Sequence, residues 1–295
     1  MADCTFEIAK ATLFSQVLVV SAKSKTDVRV PCLFAFLPSK ETVVYHQVFK
    51  LLADCGLKGP DRFHSDFEKA LIKGFTQVFP DTDIVGCDTH WKRCLTTNLR
   101  KCGLSEVVKE SVAMQTIHRY LWALSLVPCS DVVKIWEEFV SNEFDRMEEN
   151  GDFADFIDEI YEYMSYYERA WVGEMNRRTF VRRKPTFPLA WWNKHEQVRD
   201  SSDTTSNSIE GYNNALNYSI SRKANIWTLI DLMRTEEAGL QRKLHEAAIG
   251  TVTSPKNRDK SRQQRQSELQ SLVANYENVD MKTYMYSLVQ FYNCY

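Results

Sequence analysis

Glycine and proline are scarce, 10 and 8 in 295 residues, and the chain carries no internal repeat or low-complexity tract. Collagen-like, linker-like and largely disordered architectures are thereby excluded. No apolar run approaches the ~20 residues that a membrane helix requires. The opening Met1-Ala2-Asp3-Cys4 has neither the basic start nor the apolar core of a signal peptide. The reading is a chain neither exported nor inserted in a membrane. An excess of one charge is missing as well: 37 Lys and Arg face 39 Asp and Glu, a net charge of −2. No global basic field exists, so contact with a polyanion has to rest on local patches. Also absent are GxxxxGK[ST], GxGxxG, GxSxG and HExxH, which removes support from ATPase, dehydrogenase and hydrolase readings.

What is present is material for a large core. Apolar residues make up 44% of the chain and aromatics 12%, enough for one large domain or a core with an insertion. The eight cysteines are scattered, which predicts reduced thiols in a cytosolic or nuclear compartment. Residues 14–22 and 28–37 are β-branched and aromatic runs joined by a polar connection, two adjacent strands. Helical spacing follows over 40–55, an extended piece over 62–66, a helix over 67–79, a short strand over 83–87 and a helix over 90–102 ending at Gly103. This α/β order places a ligand at the carboxyl ends of central strands.

After Gly103 no convincing strand occurs for nearly a hundred residues. Three apolar stripes predict a packed helical region: Val112, Ile117, Leu121 and Leu124; Val132, Trp136, Phe139 and Phe144; then Phe153, Ile157, Ile160, Met164 and Trp171. From Glu137 to Glu162 the chain is strongly acidic, a poor surface for a phosphate backbone. The charge then reverses at Arg177, Arg178, Arg182, Arg183 and Lys184, with Phe180 among them. That segment reads either as a phosphate-contacting patch or as a solvated loop neutralised by the acids before it. Helices are expected over 208–220 and 225–248, then a basic stretch and two shorter helices.

Three acids occupy places suited to divalent-metal chemistry on phosphodiesters. Asp3 precedes a strand-like stretch, Asp66 follows one, and Glu210 begins a helix. Each also has a structural reading. Ser65 and Glu68 make a capping-box spacing around Asp66, Glu210 stands three residues after Asn207, and Asp3 sits at a terminus. Cys87 and His90 form one Cys-x-x-His without a second pair, so zinc is disfavoured and Cys94 and Cys102 read as helix core.

Taken together, DCTFEIA (3–9), VPCLFAFLPSKET (30–42), DFEKA (66–70), FP (79–80), GCDTH (86–90), WN (192–193) and SNSIEGYNN (206–214) resemble the Mutator-like element (MULE) transposase domain, a branch of the DDE transposases. The resemblance covers residues 3 to about 217, in order and spacing. It implies a ribonuclease H-like mixed sheet with an all-helical insertion and a helical C-terminal region. The core would occupy 1–103, the insertion 104–200, the return helices with the third acid 201–250 and a helical tail 251–295. It also implies that Asp3, Asp66 and Glu210 hold two Mg²⁺ or Mn²⁺ ions, with Cys87 and His90 as the signature pair and His90 near the reacting phosphate. The implied activity is nicking and strand transfer at double-stranded transposon ends, in the nucleus, by paired copies in a synaptic complex, with Arg177 to Lys184 contacting DNA. Only Met1 and Ala2 precede Asp3, which on this resemblance reads as a shortened chain. The alternative is a domesticated, catalytically inactive protein that binds DNA or a partner.

Overall fold

Four consecutive apolar residues, Val17 to Val20, call for a strand covered on both faces. In the computed structural model, which describes residues 1–5, 14–23, 29–200, 226–249 and 260–292, they form the middle of β2 (Gln16–Lys23), buried from Gln16 to Ser21. β2 is the central strand of an antiparallel sheet, between β1 (Ala2–Thr5) and β3 (Arg29–Leu37). Asp3 pairs with Val19 across β1 and β2. The β2–β3 register shifts between Val20 and Ser21, next to the pair Ser21–Pro31, where proline has no N–H to offer the ladder. The protein is mixed α/β and mostly helical, with small sheets.

By its internal packing the chain divides into two units, Met1–Cys87 with Thr205–Lys256, and Asp88–Thr204 with Asn257–Tyr295. The sequence put the first boundary later, after Gly103. In the first unit, α1 (Thr42–Asp54) leads to β4 (Arg62–Ser65), α2 (Lys69–Thr76) and β5 (Asp83–Gly86). β4 and β5 are parallel, so these elements form a β-α-β unit, and β1 lies beside β4. Phe63 of β4 and Phe75 of α2 stack at 3.7 Å, with Phe49 of α1 edge-on to both. α1 and α2 approach closely at Gly74, where a Cβ would stand 2.7 Å from the Tyr45 Cβ. A long helix, here numbered α11 (Ile226–Ala248), sets Leu229 against Val17 and Val19.

The second unit is mostly helical among its described residues. It holds α3 (Asp88–Lys101), α4 (Val107–Glu110), α5 (Val112–Ala123), α6 (Val132–Ile135), α7 (Ser141–Glu149), α8 (Ile157–Tyr167), α9 (Leu189–Trp192) and α10 (His195–Arg199). After α11 of the first unit come α12 (Lys260–Ala274) and α13 (Met281–Val289). Its centre is aromatic. Trp91 stacks on Trp192 at 5.3 Å, and Trp171 is edge-on to both. The expected stripes are buried except at two positions: Val112 is 76% exposed and Ile157 half-buried. Val112 directly follows Ser111, the cap that accepts from the Met114 N–H, so it faces outward in the first turn.

His118 is fully buried on α5, its Nδ1 2.9 Å from the Tyr163 hydroxyl. Burial lowers its pKa to about 4. The unfolded chain therefore takes up this proton at higher pH than the folded one, and stability falls as pH drops from ~6.5 toward 4 by about 1.4 kcal/mol per unit. The expected result is a wild-type loss of about 3 kcal/mol across that window that His118→Gln does not share, read as the difference between the two melting profiles against pH.

Candidate functional site

The helix α2 begins at Lys69, with Glu68 as its cap residue in extended conformation. The helix thus starts two residues later than the 67 expected from the sequence, and Asp66 lies in the short connection after β4. There its Oδ1 accepts from the Glu68 N–H at 3.2 Å and lies 3.4 Å from the Ser65 hydroxyl. The connection is tied to the next strand by the Cys87 N–H, which donates to the Ser65 carbonyl at 2.8 Å. The carboxylate thus sits half-buried at the carboxyl end of a parallel strand, the usual place for ligand-binding groups in α/β units.

Behind it runs a buried polar chain that the sequence did not signal. Gln16 Nε2 donates to the Tyr45 hydroxyl at 2.6 Å, and that hydroxyl donates to Glu68 Oε1 at 2.6 Å. The Cys4 thiol approaches the same hydroxyl at 3.7 Å. Burial pushes the Glu68 carboxyl above its usual range, opposed by the Tyr45 bond and reinforced by the Asp66 charge. Tyr45 is itself driven far up, chiefly by burial. Residues from β2, α1 and the β4–α2 connection are thereby locked into one geometry.

The backbone of Asp3 lies in β1, the strand beside β4. Its side chain and the whole of Glu210, with the expected helix 208–220, lie outside the described residues. Among the described residues no group of three or more His, Cys, Asp or Glu side chains is disposed to hold a metal ion. Cys87 is buried directly after β5, and His90 is half-buried in the first turn of α3. The oxygen donors Asp3, Asp66 and Glu210 suit a hard cation such as Mg²⁺ or Mn²⁺, and the constrained carboxylate of Asp66 fits that role.

The basic segment, read as a phosphate-contacting patch or as a solvated loop neutralised by the acids before it, folds as a hairpin. Gly173, at φ +101°, turns the chain where a Cβ would strike the Arg183 carbonyl. Met175 and Arg182 pair antiparallel, the Arg183 N–H donates to the Glu174 carbonyl at 2.8 Å, and the Asn176 N–H to the Val181 carbonyl at 3.1 Å. The five cations separate here. Arg182 points inward and binds Glu137 at 2.6 Å, Glu168 at 2.8 Å and the Gly173 carbonyl. Arg177, Arg178, Arg183 and Lys184 are exposed, with Arg183 3.9 Å from Glu174.

Two cavities accompany these features. One of about 610 Å³ in the first unit lies between β3 and α11, lined by Cys32, Phe34, Phe36, Met233 and Leu240. Another of about 360 Å³ in the second unit is lined by Asp88, Lys92, Trp122, Lys194 and Tyr292, with Lys92 paired to Asp88 at 2.8 Å. Lys194 is only 2% exposed. Among the described residues no helix is long and apolar enough to cross a membrane. Comparison of the chain with protein-family models, with curated proteins and with solved structures finds no match.

Proposed function

We propose that the chain is the catalytic domain of a Mutator-like DDE transposase on a ribonuclease H-like fold, cutting and joining double-stranded DNA. The observation that carries this reading is one of position: Asp66 stands just past the carboxyl end of β4, and β4 runs beside β1, the strand that bears Asp3. Two acids distant in sequence, one in β1 and one just past the end of β4, thus belong to segments that lie near each other. Further support comes from the strand order, an antiparallel β1-β2-β3 followed by the parallel pair β4-β5, and from the helical stretch that follows Cys87.

Asp3, Asp66 and Glu210 would hold two Mg²⁺ or Mn²⁺ ions, which when bound acidify a water or DNA hydroxyl nucleophile and stabilise the leaving oxygen. The chain's own contribution is position. The Glu68 N–H fixes the Asp66 carboxylate, and the Tyr45–Glu68 bond keeps the Glu68 side chain engaged behind it. His90 is assigned to the scissile phosphate. The partners are transposon ends and a second copy of the chain, in the nucleus.

The test is nicking of supercoiled DNA by purified protein in Mn²⁺ and in EDTA, alongside Glu210→Ala. Nicking that requires Mn²⁺ and vanishes in the variant is the expected result. Nicking that survives Glu210→Ala refutes the third-acid assignment. Salt-sensitive DNA binding without any nicking makes the chain the domesticated, non-catalytic derivative instead.

A further inference from the structure

We infer that the hairpin of residues 174–183 is a wedge that enters duplex DNA, with Phe180 unstacking a base step while the exposed cations at and beside its tip hold the flanking phosphates. The inference rests on the DNA-acting reading above, but it concerns the second unit and none of the three acids.

Phe180 is 81% exposed and Val181 64%, which is unusual for two adjacent large apolar residues on a surface this charged. Phe180 also has φ +52°, a left-handed conformation that a bulky side chain seldom adopts. Backbone held in that region has to be imposed by its surroundings, and such positions concentrate at binding and catalytic sites. Here the imposing contacts are visible. The Phe180 N–H donates to the Asn176 carbonyl at 2.8 Å, closing the tip. The Asn176 side-chain oxygen accepts from the N–H groups of Arg178 at 2.9 Å and Thr179 at 3.3 Å. Asn176 thus organises the whole tip with one backbone and one side-chain oxygen.

A wedge must not fold back when pushed against stacked bases, so its base has to be braced. Arg182 provides the brace through Glu137, Glu168 and the Gly173 carbonyl. On the exit side the Phe187 N–H donates to the Ala170 carbonyl at 3.0 Å, and the Phe187 ring stacks on the buried Trp171 at 4.8 Å. The hairpin therefore grows from the aromatic core of its own unit. Its inward arginine pairs with two of the nearby acids, and Arg177, Arg178, Arg183 and Lys184 face solvent. An apolar wedge flanked by cations matches a duplex partner, where phosphates take the charges and a flexible pyrimidine–purine step opens to the ring.

The probe is a short duplex carrying 2-aminopurine at a central TA step, titrated with full-length protein in EDTA so that no cleavage occurs. Wild type is expected to raise 2-aminopurine fluorescence several-fold. Phe180→Ala, a surface change, should abolish that rise and weaken binding by about tenfold, the scale of one aromatic–base stack. Arg177→Gln with Arg178→Gln should lower the slope of log affinity against log salt by about two. Asn176→Ala, which releases the tip but keeps the ring, should reduce the fluorescence rise. The wedge is overturned if wild type binds the duplex with no change in fluorescence, if Phe180→Ala matches wild type, or if the hairpin binds anionic phosphatidylserine vesicles in a Phe180-dependent way and not DNA. Failure of Mn²⁺ nicking with an intact Phe180-dependent signal would sink the nuclease assignment and leave the wedge standing.

Discussion

Asp66→Asn is expected to lower Mn²⁺-dependent nicking by about a thousandfold, ~4 kcal/mol of transition-state stabilisation, without a comparable loss of folding stability. The reasoning starts from the connection after β4. The side-chain oxygen of asparagine can still accept from the Glu68 N–H, the bond that shapes the turn, and the Ser65 hydroxyl lies on the same side. Geometry is kept while the negative charge is removed, so the variant isolates the charge. Metal affinity should fall with activity, seen as loss of the thermal shift that millimolar Mn²⁺ is expected to give the wild type. A variant that nicks within a few-fold of wild type, or keeps the full metal-induced shift, rules out Asp66 as a ligand.

The largest stability effect is expected at Trp192. Its ring is fully buried, stacked on Trp91 at 5.3 Å and edge-on to Trp171 and Tyr167, and its indole N–H donates to the Trp171 carbonyl at 3.1 Å. Trp192→Ala empties this space and removes the indole donor to the Trp171 carbonyl. The expected cost is about 3–5 kcal/mol, roughly 10 °C or more in the melting of a unit this size. Trp192→Phe should recover much of the packing but not the hydrogen bond and should fall between the two. Near-UV circular dichroism during thermal unfolding reads the loss directly, and a shift of only a degree or two for the alanine variant would show that the aromatic centre does not carry this unit.

That residue also shows what the sequence could and could not disclose. Trp192 and Asn193 were legible as a short phrase of a family resemblance, yet their contacts are those of a folded core. Asn193 Nδ2 donates to the Val127 carbonyl at 2.6 Å, and its Oδ1 accepts from the His195 N–H at 3.0 Å. Periodicity located β2, β3, α1, β4 and β5 within a few residues, because their apolar patterns are local. It set the start of α2 two residues early, since the capping-box spacing at Ser65 and Glu68 looks the same whether Glu68 lies inside the helix or caps it. The Gln16–Tyr45–Glu68 chain escaped notice because it joins three elements through tyrosine and glutamine, residues with no periodic signature. The hairpin was hidden for a different reason. Its order comes from one asparagine side chain and one inward arginine, while its composition is that of a solvated loop.

A small absence governs how these parts meet. Gly74 allows α2 to settle against α1 so closely that a single added methyl would collide with Tyr45 at its own Cβ, at the His46 nitrogen and near the Thr42 carbonyl. Tyr45 is the residue whose hydroxyl reaches Glu68, the neighbour whose amide orients Asp66. The spacing between two helices therefore acts as a gauge block for the acidic turn. Any side chain at position 74 would press on Tyr45 and, through its bond to Glu68, be felt at the turn that holds Asp66.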